Sequence, residues 1–345
     1  MEKMKTESTK TLCFLTGIIL PAVLLIAMLL CLASCNKTDT VTGSREKVTI
    51  VYTESAGSAL VHIAVAKGYL TEEGLDVTPQ SHAFGKTAIE AVIGGKADLA
   101  VASDTAIMFA VMGGQRITTL AVIATSNKNM AILARKDDGL SRPADLRGKT
   151  IGVVRGTVSD FFADVFLTSH GIDRKRVEII DLQPDEMAAA LGTGKVDAVS
   201  IWQPNLIQLQ KDIGNGGQTF FGEAFYTFAL GVTASQDFVM QHPEAVRKIL
   251  RALIRAENFA KEYPEESQRL VAKFLKTDKA FMGEIWGVYD YRISLNQGFL
   301  FDLEDQSRWA MKQRLTAQRH MPNYLDFIYV NGLQAVKPEA VSIIR

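Results

Sequence analysis

The run Val48-Thr49-Ile50-Val51-Tyr52, with the helical pattern Leu60–Lys67 that follows and closes at Gly68, decides how the rest of the chain reads. Five β-branched or apolar residues in a row suit a buried strand. Gly74-Leu75-Asp76-Val77 starts a second strand, Lys86–Ile93 reads as a helix, and Asp98–Ala102 as a third strand. The order is βαβαβ, the unit that builds a parallel sheet. It then recurs: strand Thr150–Val154, helix Thr157–Ser169 ending near Gly171, strand Val177–Leu182, helix Asp185–Leu191, strand Asp197–Ile201. Several positions coincide at an offset of 99: Gly57 with Gly156, Ser58 with Thr157, Ala91 with Ala190, Gly95-Lys96 with Gly194-Lys195, and Asp98 with Asp197. The chain reads as a duplicated α/β architecture, one sheet per lobe.

Two lobes need crossings between them. Met130–Arg135 is expected to leave the first lobe, Arg142-Pro143-Ala144-Asp145-Leu146 to start the second, and Phe225–Thr233 to return. The helical patterns Pro243–Tyr263, Glu265–Leu275, Lys279–Ser294 and Leu303–Gln318 then pack on the first lobe, with Pro243 in a first turn that tolerates it. The expected division is residues 47–131 plus 232–345 for lobe 1 and 132–231 for lobe 2. Two crossings make a hinge, and a hinge makes a cleft.

The N-terminus carries a different signal. Lys3, Lys5 and Lys10 precede a stretch, Thr11 to Ser34, without a charged residue, ending in Leu32-Ala33-Ser34-Cys35. That is the layout of a secretory signal, here over Met1–Ser34. Small residues placed directly before a cysteine resemble a bacterial lipobox, which makes Cys35 the expected lipidation site and new N-terminus. The alternative is a retained membrane-spanning helix, for which the uncharged run is long enough. Residues 35–46, rich in Thr, Ser, Lys and Asp, read as a flexible tether between membrane and fold.

Cys13 and Cys31 leave with such a leader, so a mature chain carries Cys35 as its sole cysteine and no disulfide. The precursor has formal charge +0, and removing three Lys and two Glu leaves −1. No basic excess points to nucleic acid, and no block of like charge suggests an interaction tail. Roughly 300 residues remain, more than one compact core usually holds.

In open parallel sheets ligands bind beyond the carboxyl ends of the strands. That rule selects Glu54, Ser55, Gly57 and Ser58 after the first strand, and Arg155, Gly156 and Thr157 after its echo. Each loop opens a helix whose first N–H groups lack partners, so Ser58 and Thr157 either cap those helices or help hold an anion. The third strands end at Ser103-Asp104 and at Trp202-Gln203-Pro204. Trp202 offers a flat apolar wall to an organic ligand or, alternatively, fills core. Asp104 is a ligand contact or a cap for Thr105–Met112. Thr125, Ser126 and Asn127, with Lys128 and Asn129, form a polar run expected at the cleft mouth, and Phe84 stands in the remaining loop on that face. The cationic candidates for an anionic ligand are Arg155 and Lys128.

The five His residues fall at no metal-ligand spacing, and neither a GxSxG elbow nor a P-loop is present. No cofactor, metal or catalytic residue is therefore expected.

Val65-Ala66-Lys67-Gly68-Tyr69-Leu70 and Glu73-Gly74-Leu75-Asp76-Val77 resemble the opening of the nitrate/sulfonate/taurine class of ABC-transporter substrate-binding proteins. Gly95-Lys96-Ala97-Asp98-Leu99-Ala100, Pro143-Ala144-Asp145-Leu146-Arg147-Gly148-Lys149 and Trp202-Gln203-Pro204 continue the likeness in order. The resemblance implies a type II-like, two-lobed periplasmic-binding fold, each lobe a mostly parallel sheet flanked by helices, with two crossing strands as the hinge. It also implies a small-molecule ligand held by the loops chosen above and delivered to a permease driven by an ATPase, with the receptor a monomer. The family includes binders of thiamine pyrimidine precursors and a related enzyme with a cysteine-rich segment; that segment is missing here, so enzyme activity is not expected. Two alternatives stand beside transport: a ligand sensor docking on a separate signalling protein, and a pyrimidine-precursor-binding or biosynthetic protein.

Overall fold

The structure, a computed structural model, describes residues 45–344 except 83, 137, 138, 223 and 224. The leader, Cys35 and all but the last two residues of the tether lie outside the described residues. Ten strands are present among the described residues: β1 (Glu46–Thr53), β2 (Leu75–His82), β3 (Leu99–Ser103), β4 (Ile117–Ser126), β5 (Met130–Arg135), β6 (Thr150–Val153), β7 (Glu178–Asp181), β8 (Ala198–Trp202), β9 (Gly217–Phe221) and β10 (Phe228–Ser235). They form two five-stranded sheets, ordered β2-β1-β3-β10-β4 and β7-β6-β8-β5-β9.

The sheets share one plan. In each, four strands run one way and one runs against them, β10 in the first sheet and β5 in the second. Each opposing strand is the first that the chain lays down after changing sheets. The changes fall at 127–129 and at 222–227, a few residues before the boundaries expected at 131 and 231. Ser126 pairs with Phe228 and Ala131 with Phe221, so the two crossing segments run side by side.

The repeated Gly-Lys-x-Asp strings have the same physical cause in both lobes. Gly95 and Gly194 take φ of 66° and 75°, a left-handed turn that glycine adopts at no steric cost. Three residues on, the Asp98 carboxylate accepts from the Thr49 N–H at 2.7 Å, and Asp197 from the Thr150 N–H at 2.8 Å. Each aspartate thus ties the start of its third strand to the first strand. Thr49 and Thr150 lie 101 apart whereas the aspartates lie 99 apart, so the constant offset holds at the third strands and drifts elsewhere.

The C-terminal helices differ from the sequence pattern in two places, the second being the helix expected over Leu303–Gln318, which begins six residues earlier and ends at Lys312. The pattern read as a helix over Lys279–Ser294 is a helix only over Lys279–Trp286 and stops at Gly287. Beyond it the backbone of Asp290 pairs with Thr125, and that of Ser294 with Val122. An uncovered β4 edge would leave a row of N–H and C=O groups unpaired, and this extended segment satisfies them. The last long helix runs Gln297–Lys312, with Asn296 accepting from the Phe299 N–H as its cap. Among the described residues no helix is long and apolar enough to cross a membrane.

Candidate functional site

A cavity of about 490 Å³ opens between the lobes, at the carboxyl ends of strands from both sheets. From the first sheet it takes Thr53 at the end of β1, Glu54 and Ser55 after it, Phe84 after β2 and Ser103 at the end of β3. From the second come Arg155, Gly156 and Thr157 after β6, Trp202 at the end of β8 and Gln203 after it. In both sheets these loops flank the point where strand order reverses, between β1 and β3 and between β6 and β8. Chains running outward on both sides of such a point leave a crevice there.

Two hydroxyls organise the facing loops. Ser55 Oγ accepts from the Gly57 N–H at 3.1 Å, capping the short turn that leads into the helix Ala59–Ala66. Thr157 Oγ1 accepts from the Ser159 N–H at 3.2 Å, capping the helix Val158–Ser169, and donates to the Val154 carbonyl at 2.7 Å. Ser55 is therefore the counterpart of Thr157. The offset of 99 had paired Thr157 with Ser58; the loops differ in length, and the pairing slips.

A hydrogen-bonded chain joins the first lobe to the crossing. Ser55 Oγ lies 3.3 Å from the Tyr289 hydroxyl, which donates to Asn129 Oδ1 at 2.7 Å. Burial pushes the Tyr289 phenol up to about 12, so it stays a neutral donor. Asn129 accepts the Gln203 N–H on its carbonyl at 3.0 Å, which carries the chain into the second lobe. Across the cleft, Phe84 and Trp202 meet edge to face with ring centroids 6.4 Å apart. The charged side chains on the wall, Glu54, Lys86, Glu90 and Arg155, are all exposed.

The cavity thus gathers Ser55, Phe84, Ser103, Arg155, Gly156, Thr157, Trp202 and Gln203 from the candidate set. Six candidates lie elsewhere, each for a visible reason. Gly57 is buried beneath the wall, where an added Cβ would collide with Leu230 and Tyr289; it is a close-approach glycine and not a surface. Ser58 is fully buried and its hydroxyl donates to the Thr53 carbonyl at 3.0 Å. Asp104 is fully buried and accepts the Tyr226 hydroxyl at 2.9 and 2.8 Å, while Ser103 caps the helix in its place. Ser126 donates to the Val288 carbonyl at 2.6 Å, and Asn127 is exposed outside the cavity, as is Lys128. Thr125 faces a second hollow of about 390 Å³ beside Tyr226 and Asp302.

Nothing in the sequence marks Tyr289, Phe228 and Leu230 for the site, whereas Asn129 is marked. Asn129 sits in the polar run already singled out, one step beyond Lys128, and its 2% exposure separates it from its neighbours. Phe228 and Leu230 read only as the returning strand. Tyr289 lies within a stretch read as helix, 234 residues from Ser55, and nothing local marks it. Among the described residues no group of three or more His, Cys, Asp or Glu is placed to hold a metal ion.

Two sheets of this order, closing on one cavity, define the two-lobed periplasmic-binding-protein fold. Residues 56–267 match the family described as NMT1/THI5 like, and the chain belongs to that family. A Brucella abortus (strain 2308) protein named only for binding is 28% identical over 227 residues, 65% of this chain and 70% of the other. The taurine-binding periplasmic protein of Escherichia coli (strain K12) is 26% identical over 219 residues, 61% of this chain and 65% of that one. The crystal structure of the periplasmic aliphatic sulphonate binding protein of Escherichia coli superposes with a TM-score of 0.74 over 84% of this chain and 99% of that one, at 19% identity.

Proposed function

We propose that this protein is the extracytoplasmic solute-binding lipoprotein of an ABC importer. It captures a small anionic or polar organic ligand of the sulfonate, taurine or nitrate type and delivers it, as a monomer, to a permease powered by an ATPase. The observation that carries the reading is the convergence of Ser55 and Thr157, each capping a helix start from a different lobe, on one cavity. Partly positive helix starts on both walls favour an anionic or hydrogen-bond-accepting head between them. The side-by-side crossings at 127–129 and 222–227 suit a hinge that closes the lobes over the ligand. The relatives named for taurine and sulphonate binding support the head-group class.

A thermal scan of the protein against taurine, methanesulfonate, aromatic sulfonates, nitrate, bicarbonate and pyrimidine precursors tests this. A ligand at 1,000 times its Kd should stabilise by about 4 kcal/mol. A response confined to one anionic class is expected. A response to pyrimidine precursors alone would overturn the ligand class, and a cooperative melt that no compound moves would overturn the receptor reading.

The anchor has its own test. With Cys35 acylated, the protein sediments with membranes, and Cys35→Ser should shift most of it to the soluble extracytoplasmic fraction, because each buried CH₂ of a lost chain is worth ~0.8 kcal/mol. Unchanged membrane association in the variant would argue for a retained helix.

A further inference from the structure

The cavity is larger and more apolar than a small anion requires. We infer that the ligand carries an aromatic body, packed against the pair of Phe84 and Trp202, behind a head group bound by neutral dipoles instead of a buried cation. The inference rests on the receptor reading above and narrows its ligand.

Volume is the first observation. At about 490 Å³ the cavity falls within the range of roughly 300–1,000 Å³ that encloses drug-sized organic molecules. A nitrate ion or a two-carbon sulfonate leaves most of such a space to water, against walls that gain nothing from it. Those walls are the second observation. Ile89, Phe109, Phe228, Leu230 and Leu315 all contribute to them. None offers a side-chain hydrogen bond, so their contribution to affinity comes from apolar surface that a ligand removes from water.

The distribution of charge is the third. Every charged side chain on the wall is exposed, which places charge at the rim. The less exposed polar groups are neutral: the hydroxyls of Thr53, Ser55, Ser103 and Thr157, and the amides of Asn129 and Gln203. Such a lining binds a sulfonate or carboxylate through hydrogen bonds to hydroxyls and helix-start N–H groups. Its selectivity then resides in the body of the ligand and not in the number of negative charges.

The pair Phe84 and Trp202 completes the argument. The rings belong to different lobes and stand at 87° to each other, centroids 6.4 Å apart. Phe84 is 37% exposed, which is a large apolar surface left facing solvent. The two rings already touch, so the planar ring of a ligand packs beside the pair, against the surface that each leaves toward the cavity. The same ring bridges the lobes, so binding it and closing the hinge become one event.

The test is a series with one head and growing bodies: methanesulfonate, taurine, benzenesulfonate and naphthalene-2-sulfonate, with 2-naphthoate and 2-naphthalenemethanol varying the head. Isothermal titration to the protein should give Kd values falling at least tenfold from methanesulfonate to naphthalene-2-sulfonate, and 2-naphthoate should bind within about tenfold of its sulfonate. In Phe84→Ala the affinity ratio of naphthalene-2-sulfonate to benzenesulfonate should shrink by about three- to tenfold. Phe84→Leu, which keeps apolar bulk without a ring, should recover only part of it. Equal or tighter binding of methanesulfonate or taurine overturns the aromatic body while leaving the receptor reading intact. An unchanged ratio in Phe84→Ala removes the ring pair from the argument. If the folded protein binds no member of the series, both this inference and the sulfonate-type reading fall together.

Discussion

Trp202→Ala is expected to weaken ligand binding by roughly 60-fold. Trp202 closes β8, where its backbone pairs with Met130, and its side chain is half-buried. One part of the ring packs against apolar residues of both the main core and the smaller second-lobe core. The rest faces the cavity and Phe84. A tryptophan presents about 150–250 Å² in all, so some 100 Å² is available to a ligand. At about 25 cal/mol per Å² that area is worth ~2.5 kcal/mol, the source of the 60-fold figure. The packed part gives the substitution a second cost, about 1–2 kcal/mol of stability, because the two cores lose contacts that Ala does not replace. Two measurements separate the effects: titration calorimetry with the tightest-binding sulfonate, and the melting temperature of the ligand-free variant. A large loss of affinity with a melting drop of only a few degrees is the expected pair. Unchanged affinity with a steep fall in melting temperature would make Trp202 a core residue. Trp202→Phe should retain most of the stability and a good part of the affinity.

The fold was legible where local pattern and global architecture agree. Strand β1 is written as five apolar or β-branched residues, and the glycine-lysine turn before each third strand is written twice. Parallel strands buried on both faces leave a strong signal of this kind. What could not be read was the direction of the strands beside the two crossings. β5 and β10 look like any other apolar strand, and only sheet pairing shows that each runs against its neighbours. The segment after Gly287 was misread because an apolar run with aromatic residues suits a helix and an extended edge alike. Its true partner, the backbone of β4, lies more than 160 residues earlier in the chain.

The site divides along the same line. Residues at strand ends could be chosen by rule, and the rule selected Ser55, Arg155, Thr157 and Trp202, all of which line the cavity. It could not tell a hydroxyl facing the cavity from one facing inward. Ser55 and Ser58 are three positions apart, one turn of helix starts between them, and only Ser55 lines the cavity. The identity of the capping residue depends on where that turn begins, which no single residue dictates. Asp104 misled for a related reason. An acidic residue just after a strand end resembles both a cap and a ligand contact, while its real partner, Tyr226, comes from the crossing 122 positions away.

That pair carries the second large effect: Tyr226→Phe is expected to cost about 2–3 kcal/mol of stability at pH 8 and only about 1 kcal/mol at pH 5. The Tyr226 hydroxyl donates to both oxygens of Asp104, while its ring packs on Phe161 and Phe162 from the second-lobe helix Val158–Ser169. One side chain from a crossing segment therefore joins the two lobes. Burial pushes the Asp104 carboxyl from 3.8 up to about 6 despite its hydrogen bonds, and burial together with the Asp104 charge pushes Asp302 up to about 7. Both native values stand above the ordinary carboxyl range. Between about pH 4 and pH 7 the folded protein therefore holds protons that the unfolded chain has released. Stability from this pair is complete below the ordinary carboxyl value and is lost as pH rises through 6 and then 7. For Asp104 alone, an elevation from 3.8 to about 6 corresponds to about 3 kcal/mol. Removing the hydroxyl withdraws a donor that favours the charged form, so the damage grows where the carboxylate is charged. Urea unfolding of the protein, Tyr226→Phe and Asp104→Asn at pH 5 and pH 8 reads this directly. Asp104→Asn should be closer to the unaltered protein at pH 8 than at pH 5, since the amide never meets the cost of burying a charge. Comparing variants at each pH cancels the contribution of surface carboxylates such as Asp145 and Glu244, whose arginine partners hold them below the usual range and which act with the opposite sign. Equal losses for Tyr226→Phe at both pH values would mean that the tyrosine contributes packing alone and that Asp104 does not titrate in this window.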